Sequence, residues 1–385
     1  MMARAFTPEA WRARAQRRLP KPIFDFIDGG SGDEEAVRRN RRVFDDVRFV
    51  PQVLKAPVER SIGVHFLGES WKAPIGVSPM GLGNLAWPGT DRGVIGAVGD
   101  AGLAYSLSMA GSIPMATAQE LMTGKLWFQL YLGEDFSVLM RLMQGARDAG
   151  VEVLMLTVDA AWPGLRLRDR ANGFGQPLWH HPASLLSHLL HPRWSLTTLL
   201  RGIPSMVNLL NVDERLVGAE ATRLFMASMV RAKLNFETLQ RIRDQWQGLI
   251  IVKGVLDVDD AVKLKSTGVD GVVVSNHGGR QLGSVVTALE VLPGIRHAVG
   301  SDWPLLFDSG VRTGEDVARA LALGADFVLL GRPWLFSSAA DGPDVGPAVL
   351  ARRLADELDN TMAQIGCRSV QELRGRAIIS SRGAA

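Results

Sequence analysis

The sequence predicts an α/β protein built on a closed (β/α)8 barrel (TIM-type barrel), and three observations support this fold class. The chain has 385 residues, enough for one large barrel or two medium domains. A glycine that ends a helix is followed repeatedly by a short apolar strand. Four strands follow this pattern and four further strand candidates bring the number to eight, with polar residues near their ends. We therefore treat residues 1–385 as a single barrel domain. A doubly wound open sheet is the alternative, but no Gly-x-Gly-x-x-Gly follows a predicted strand.

Local patterns predict the individual elements. Residues 1–70 are predicted to form an N-terminal helical cap, in which residues 34–48 have the spacing of an amphipathic helix. Thr313-Gly314-Glu315-Asp316 fits a capping box at the start of a later helix. The eight predicted strands, with a leading glycine where there is one, are residues 75–79, 102–108, 126–131, 150–157, 249–254, 268–275, 304–308 and 324–331.

Composition excludes several function classes. The 43 basic and 40 acidic residues give a net charge of +3, which is too balanced to indicate a nucleic-acid partner. Cys367 is the only cysteine, so no intramolecular disulfide or cysteine zinc cluster is expected. Residues 1–18 lack the apolar core of a signal peptide, and no apolar stretch is long enough to span a membrane. We therefore expect a cytoplasmic location.

One interval is too long for a simple crossover. Roughly 90 residues separate strand four, which ends at Thr157, from strand five at Leu249, and a crossover needs far fewer. Residues 172–230 are therefore predicted to be an insertion. No acidic residue lies between Asp169 and Asp213, and the leucines there occur with arginines, which suits a membrane-interface segment over residues 178–212. A lid or a contact between subunits remains an equal alternative.

The insertion also contains four of the seven histidines, at positions 180, 181, 188 and 191. A metal site needs acids or further ligands that this segment does not offer, so no metal is predicted. If the insertion docks on a bilayer, the protein is expected on the inner face of the cell membrane as a peripheral protein.

In a (β/α)8 barrel the active site lies at the carboxyl ends of the strands, so the residues at or just after the end of each strand form the candidate site. In strand order they are Met80 and Gly81, Ser108, Gln129 and Tyr131, Thr157 and Asp159, Lys253, His277 and Arg280, Asp308 with Gly310 and Arg312, and Gly331 with Arg332. Arg166 and Arg168 follow strand four by a few residues.

Two sub-sites emerge from these strand ends. The glycine–arginine pairs Gly310 and Arg312, and Gly331 and Arg332, follow strands seven and eight, where barrels commonly bind phosphate. The second sub-site combines a histidine and a carboxylate with two arginines, which predicts a general base acting on an anionic substrate. Its members are His277, Asp159, Tyr131, Arg166 and Arg280. Lys253 either stabilises negative charge on a bound ring or forms a structural ion pair.

The motifs themselves carry a resemblance. Residues 275–282 read Ser-Asn-His-Gly-Gly-Arg-Gln-Leu, and they occur together with the segments at 127–131, 252–254, 307–312 and 330–333. This combination resembles the FMN-dependent α-hydroxy acid oxidase/dehydrogenase family, and the likeness covers nearly the whole chain. The stretch 191–196 and Gly81 are similar to the membrane-associated mandelate and lactate dehydrogenase branch of that family.

The resemblance implies FMN as cofactor and the oxidation of an (S)-2-hydroxy acid, mandelate- or lactate-like, to the 2-oxo acid. A hydride equivalent would go to flavin N5, with electrons passing on to a membrane quinone. His277 would be the base and Asp159 would hold its imidazolium form. Arg166 and Arg280 would clamp the substrate carboxylate, and Tyr131 would hydrogen-bond near the reacting carbon. The resemblance also implies a homotetramer.

The remaining positions would bind the flavin. Lys253 would lie beside its N1–C2 edge and stabilise the reduced ring, with Ser275 nearby. The residues that would line the isoalloxazine are Met80, Gly81, Ser108, Gln129 and Thr157. Asp308 would hold the ribityl chain, and Gly310, Arg312, Gly331 and Arg332 the phosphate.

One position departs from the family pattern. The family usually has Tyr-Asp-Tyr where this chain has Phe24-Asp25-Phe26, and the second tyrosine donates its hydroxyl to the substrate carboxylate. Phe26 lies in the substrate site but cannot donate. We therefore expect weaker carboxylate binding, or a substrate for a less polar pocket, and Met80 is bulkier than the usual residue there.

Three alternatives remain open at this point. The first is a soluble oxidase that uses O2 in place of a quinone. The second is a phosphate-binding barrel that is not an oxidoreductase, such as an isomerase. The third is a flavin-binding barrel whose substrate has changed, or whose turnover of 2-hydroxy acids has been lost, because of Phe26.

Overall fold

The computed structural model describes residues 7–55, 59–212 and 221–379. Its helices are α1 Pro8–Arg18, α2 Lys21–Asp28, α3 Glu35–Arg42, α4 Thr90–Asp100, α5 Met115–Leu121, α6 Phe136–Asp148, α7 Leu167–Ala171, α8 Pro182–Leu190, α9 Pro192–Arg201, α10 Val207–Leu210, α11 Ala221–Arg231, α12 Phe236–Gln245, α13 Val258–Lys265, α14 Ala288–Val299, α15 Gly314–Ala322, α16 Arg332–Asp341 and α17 Gly346–Ile365. Its strands are β1 Val47–Phe49, β2 Val64–Phe66, β3 Glu69–Trp71, β4 Ile75–Val77, β5 Ala104–Ser108, β6 Trp127–Tyr131, β7 Val153–Thr157, β8 Leu249–Val255, β9 Gly271–Val274, β10 Leu305–Phe307, β11 Phe327–Leu330 and β12 Ala377–Ile379.

Strands β4 to β11 form the barrel. They hydrogen-bond in parallel in their order along the chain, and β11 closes the barrel against β4. All eight lie within the segments predicted from sequence, apart from the last residue of β8. These strands consist of apolar runs without alternation because helices cover their outer faces and side chains fill the interior. The predicted (β/α)8 barrel is therefore confirmed.

The pairing register brings site residues from three strands side by side. Tyr131 on β6 pairs with Thr157 on β7, and Thr157 pairs with Lys253 on β8. Because parallel strands in register end at the same level, these three polar side chains share the carboxyl-terminal rim of the barrel. The register shifts just after Lys253, between Lys253 and Val255, where β8 pairs with β9.

The N-terminal cap is only partly helical. Helices α1 to α3 occupy residues 8–42, but the predicted cap of residues 1–70 also contains strands β1, β2 and β3. Strand β1 pairs antiparallel with β12, and β2 pairs with β3 as a hairpin. Sequence patterns missed them because strands of three residues give too little alternation to detect.

The β2–β3 hairpin closes the amino-terminal mouth of the barrel. Trp71 packs edge-on against Trp127, at the start of β6, with ring centroids 5.8 Å apart. Phe66 stacks on Phe327, at the start of β11, at 5.1 Å. This aromatic plug leaves the opposite, carboxyl-terminal mouth as the accessible end.

The insertion after β7 consists of short helices, from α8 to α11, with residues 213–220 outside the described part. It is anchored to the barrel by polar contacts: Asn208 accepts a hydrogen bond from Met115 N at 2.9 Å, and Trp194 Nε1 donates to Leu85 O at 3.0 Å. Trp194 is therefore buried, although its sequence context suggested an apolar outer face. The predicted capping box at Thr313 is confirmed, because Thr313 and Asp316 exchange hydrogen bonds at the start of α15.

Candidate active site

His277 lies immediately after β9 and is oriented by a carboxylate. Its Nδ1 is 2.9 Å from Asp159 Oδ1, and its Nε2 is 3.4 Å from the Tyr131 hydroxyl. A carboxylate that accepts from Nδ1 leaves Nε2 available towards the cavity. The backbone of His277 has φ +56°, in the left-handed region that non-glycine residues rarely adopt. The loop thus holds the backbone of His277 in a conformation of higher energy, which is typical of functional positions.

Burial and neighbouring charges shift the pKa values of the two residues that contact His277. Burial raises the pKa of Asp159, but the charge and hydrogen bond of His277 outweigh it and hold that pKa below its usual value. Burial and the negative charge of Asp159 raise the pKa of Tyr131. Asp159 is therefore held as a carboxylate, and Tyr131 stays a neutral phenol.

Two guanidinium groups lie over one phenyl ring. The Arg280 carbon Cζ is 5.1 Å from the centroid of Phe26, and that of Arg166 is 5.8 Å away. The ring of Phe174 also stacks on Phe26, with centroids 4.3 Å apart and an interplanar angle of 6°. Phe26 therefore supports the two cations from an apolar surface where a tyrosine would offer a hydroxyl.

Arg280 also ties the N-terminal cap to the barrel. Its Nη1 donates to Phe26 O at 2.7 Å and to Gly29 O at 3.0 Å. Burial, followed by the charges of Arg166 and Arg332, lowers the pKa of Arg280 well below its usual value. An anion bound here would offset this crowding of positive charge.

Lys253 forms the ion pair that the sequence left open as one of two roles. Its Nζ is 3.2 Å from Asp308 Oδ2 and donates to Ser275 Oγ at 2.9 Å. Asp308 also accepts from Ser78 Oγ at 3.1 Å. Lys253 and Asp308 are both buried and both line the same cavity, so the pair stands in the site and not behind it.

The predicted phosphate cradle follows β10 and β11. Arg312 is half-buried and donates to its neighbour Val311 O at 2.8 Å, and among the described residues no carboxylate lies within ion-pair distance of its side chain. Burial and the charges of Arg332 and Arg41 lower the pKa of Arg312. A partly buried cation without a carboxylate partner fits an anionic phosphate group. Gly331, just before helix α16, adds a helix amino terminus.

Two members of the cradle also have packing roles. Arg332 donates to three backbone carbonyls, Ile27 O, Gly29 O and Gly278 O, at 2.7 to 3.0 Å. A Cβ on Gly310 would lie 2.1 Å from Asn40 O, so glycine is required there for close packing against α3. Both residues hold the cap against the barrel at the edge of the cavity.

Ser108, Gln129 and Thr157 form a hydrogen-bonded row. Ser108 Oγ donates to Gln129 Oε1 at 2.8 Å, and Gln129 Nε2 donates to Thr157 Oγ1 at 3.0 Å. All three are buried, but only Thr157 lines the cavity. Ser108 and Gln129 thus fix Thr157 from the layer behind it.

A cavity of about 450 Å³ joins both sub-sites. Its volume lies in the range of small-molecule and cofactor sites. Fourteen of the predicted site residues line it: Phe26, Met80, Gly81, Tyr131, Thr157, Arg166, Lys253, His277, Arg280, Asp308, Gly310, Arg312, Gly331 and Arg332. Asp159, Gln129 and Ser275 do not line it but hydrogen-bond to residues that do, and Ser108 hydrogen-bonds to Gln129.

The lining residues that the sequence did not predict include Asp169, Phe174, Met206 and Met229, which come from the insertion and its start. Asp169 follows Arg166 by three residues, a spacing at which helical side chains meet, so it had a usable signal. The other three lie in irregular or isolated helical segments whose apolar residues have no period that points to a cavity.

Comparison with known proteins now decides the family. The model of the FMN-dependent dehydrogenase family matches residues 15–380. The chain belongs to this family. It is 37% identical over 373 residues to an (S)-mandelate dehydrogenase of Pseudomonas putida, covering 97% of this chain and 93% of that one. It is 34% identical over 374 residues to an L-lactate dehydrogenase of Stenotrophomonas maltophilia (strain R551-3), covering 96% and 97%.

The same relationship holds in three dimensions. A crystal structure described as the monotopic membrane protein (S)-mandelate dehydrogenase superposes with a TM-score of 0.92 at 36% identity, covering 98% of this chain and 100% of that chain. These matches confirm the predicted barrel, the FMN cofactor and an enzyme of the FMN-dependent 2-hydroxy acid dehydrogenase type. Arg312, which has no carboxylate partner among the described residues, and the buried Lys253 beside the cavity fit that cofactor.

Proposed function

We propose that this enzyme oxidises the hydroxyl-bearing carbon of an (S)-2-hydroxy acid to a ketone, giving the 2-oxo acid, with His277 as the base. The observation that carries the proposal is the convergence of His277, Arg166 and Arg280 on one cavity, with Nε2 of His277 free of Asp159. A base beside two guanidinium groups matches a substrate that bears a hydroxyl next to a carboxylate.

Each residue has one task in this scheme. Arg166 and Arg280 bind the carboxylate and thereby orient the neighbouring hydroxyl. His277 Nε2 accepts the proton, and Asp159 accepts a hydrogen bond from Nδ1 and stabilises the imidazolium. The Tyr131 hydroxyl lies 3.4 Å from Nε2 and donates to the substrate oxygen as its charge develops. FMN, when bound, supplies the acceptor for the two electrons.

The cofactor is held by the remaining residues. Arg312 and Gly331 suit the phosphate, and Asp308 suits the ribityl hydroxyls, since a carboxylate accepts from them. Lys253 is a buried cation that lines the same cavity, and it would offset negative charge on a flavin ring bound there. Thr157, Met80 and Gly81 line the same cavity and complete the walls for the ring.

An anaerobic spectral screen tests this function. The holoenzyme is mixed with 2-hydroxy acids one at a time, and the absorbance of the oxidised flavin is followed. Full bleaching by the (S)-enantiomer of at least one 2-hydroxy acid, with the (R)-enantiomer inert, is expected. A flavin that stays oxidised with every 2-hydroxy acid contradicts the proposal and favours a barrel that has lost this turnover.

We infer that the preferred substrate has an apolar side chain, mandelate-like more than lactate-like. Phe26, Phe174, Met80, Met206 and Met229 all line the cavity, and the thioether side chains adapt to bulky apolar groups. The relatives named above act on mandelate and on lactate according to their names. A larger second-order rate constant for (S)-mandelate than for L-lactate supports this order.

Phe26→Tyr is expected to tighten carboxylate binding. A new hydrogen bond to a charged group contributes about 1.5–3 kcal/mol, which corresponds to about a ten- to hundredfold lower Kd. The measurement is the KM for several 2-hydroxy acids together with the Kd of an unreactive carboxylate. Phe24→Tyr, a buried residue of α2 outside the cavity lining, is the matched control. No gain with any acid would argue against this role of position 26.

We further propose that α8 and α9 rest on a membrane surface. Leu189, Leu199 and Leu200 are exposed by 68%, 72% and 84%. Further exposed apolar residues on these helices and the loop after them are Leu185, Leu186, Leu190, Leu196 and Ile203. Arg193 and Arg201 flank this apolar face, and an apolar face with arginines suits an anionic bilayer interface. Among the described helices none is long and apolar enough to cross a bilayer.

Electrons would then pass to a quinone within that membrane, with the protein peripheral on its inner face. The structural relative is itself described as a monotopic membrane protein. The alternative is a soluble oxidase that passes its electrons to O2. Hydrogen peroxide formation in air, compared with reduction of a quinone analogue in vesicles, separates the two: dominant peroxide formation rejects the quinone.

Replacing Leu189, Leu199 and Leu200 together by serine is expected to abolish membrane binding. Each buried leucine contributes about 1.5–3 kcal/mol, so the triple change should lower partition onto vesicles more than about a hundredfold. Co-sedimentation with vesicles of anionic phospholipid measures it. The control triple is Val53→Ser, Val262→Ser and Ile378→Ser, three exposed apolar residues outside the insertion. Unchanged sedimentation of the leucine variant would instead favour a lid or a subunit contact.

A further inference from the structure

Asp169 is a carboxylate inside the cavity to which the scheme above gives no task. It lies on α7, and its Oδ2 is 3.4 Å from Nη1 of Arg166, one turn earlier. Its side chain is only 13% exposed, and Oδ2 is buried without a hydrogen bond from any described residue. The ion pair is therefore loose, and Asp169 lines the same cavity as Arg166, Arg280 and Phe26.

Two other cations near Asp169, Arg168 and Arg280, already have hydrogen-bond or ion-pair partners. Arg168, also on α7, forms ion pairs with Asp25, Asp28 and Glu34. Arg280 donates to the backbone carbonyls of the cap. Arg166 is the cation whose charge Asp169 balances most directly. Burial raises the pKa of Asp169, and the charges of Arg166 and Arg280 oppose that rise.

A substrate carboxylate that reaches Arg166 meets this second carboxylate at close range. Two like charges in a site of low dielectric repel strongly. Phe26 contributes no hydroxyl, so the substrate depends on the two guanidinium groups for its binding. The same repulsion acts on the 2-oxo acid product, which keeps the carboxylate.

We propose that Asp169 is a positioning residue that pairs with Arg166 while no carboxylate is bound and weakens the binding of substrate and product carboxylates at that arginine. It thereby favours product release. This proposal rests on the proposed function, because it takes Arg166 as the carboxylate clamp. It assigns to Asp169 an effect on affinity that depends on the charge of the ligand.

Asp169→Asn tests this with two ligands of equal shape. Phenylacetate carries the carboxylate, and phenylacetamide replaces it with a neutral amide. For the variant holoenzyme the Kd of phenylacetate is expected to fall about tenfold, while that of phenylacetamide stays within about twofold. Titration calorimetry and flavin difference spectra both report the Kd. Asp302→Asn, an exposed acid before β10 at the other end of the barrel, is the matched control.

Each other outcome overturns the proposal. If the variant binds phenylacetate with the same or a higher Kd, Asp169 does not repel the ligand carboxylate. If both ligands bind more tightly to the same extent, the effect of Asp169 does not depend on the charge of the ligand. A merely structural role would weaken both ligands. If Asp169→Asn yields no holoenzyme, Asp169→Ser removes the same charge and is measured in its place.

The role of Asp169 and the proposed function are tested by separate measurements. Binding of phenylacetate needs no turnover, so its Kd tests Asp169 even for an enzyme that oxidises no 2-hydroxy acid. Bleaching of the flavin by 2-hydroxy acids tests the proposed function in the unaltered protein. Bleaching without a charge-selective change in Kd rejects only the role of Asp169.

Discussion

Replacing His277 by asparagine is expected to lower the rate of substrate oxidation by about 10³–10⁴-fold, the upper range for loss of a general base. Asparagine keeps a polar group of similar length but cannot accept a proton near neutral pH. FMN content and carboxylate affinity are expected to change little, because the cradle around Arg312 and the Arg166–Arg280 pair are left intact. The measurement is the anaerobic rate of flavin reduction by (S)-mandelate in a stopped-flow instrument.

The control for this variant is His297→Asn, an exposed histidine on α14 away from the cavity, which should leave the rate unchanged. Asp159→Asn provides an intermediate case. It keeps a hydrogen-bond partner for Nδ1 but removes the charge that stabilises the imidazolium, so the rate should fall less than for His277→Asn. A His277→Asn enzyme that reduces its flavin at near the original rate would show that another group takes the proton.

The barrel and much of its site were predictable because they follow from local sequence. Runs such as Gly271–Val274 encode a buried parallel strand by themselves, and the barrel then brings all strand ends to one mouth. His277 and Lys253 therefore fall in the cavity once the strands are assigned. The register that places Tyr131, Thr157 and Lys253 side by side adds the detail that sequence alone leaves open.

The features that sequence did not predict depend on contacts between distant segments. Arg332 donates to Ile27 O, which is 305 residues away in the sequence, and no local sequence pattern predicts such a hydrogen bond. The stacking of Phe26 on Phe174 joins the cap to the insertion in the same way. The hydrogen-bonded row that joins Ser108, Gln129 and Thr157 across three strands is a third contact of this kind.

These long-range contacts explain why the cap matters for chemistry. Arg280 and Arg332 both donate to Gly29 O, so one turn of the cap receives two guanidinium groups from the barrel loops. Phe26 lies in the helix that precedes this turn, and its ring meets the clamp arginines. Arg280, which the proposed function gives the task of binding the substrate carboxylate, therefore also helps to fix the position of Phe26.

Arg166→Met and Arg280→Met are expected to differ in a way that follows from these contacts. Each removes one guanidinium from the carboxylate clamp, and loss of a close charged partner costs about 2–4 kcal/mol, or about a 30- to 1000-fold higher Kd for phenylacetate. Methionine keeps the length and apolar stem of the arginine side chain, so cavity volume changes little. Titration of each holoenzyme with phenylacetate measures the loss.

Stability separates the two variants. Arg166 forms the loose pair with Asp169 and lies over the Phe26 ring at 5.8 Å, and both contacts are weak, so its replacement should leave the free energy of unfolding nearly unchanged. Arg280 donates to Phe26 O and Gly29 O, and removing it leaves two buried carbonyls with one donor fewer, at about 1–3 kcal/mol. Urea unfolding of both holoenzymes measures this difference. Equal stability of the two variants would mean that the cap is held without Arg280, and Phe26 would then owe its place to its stacking on Phe174.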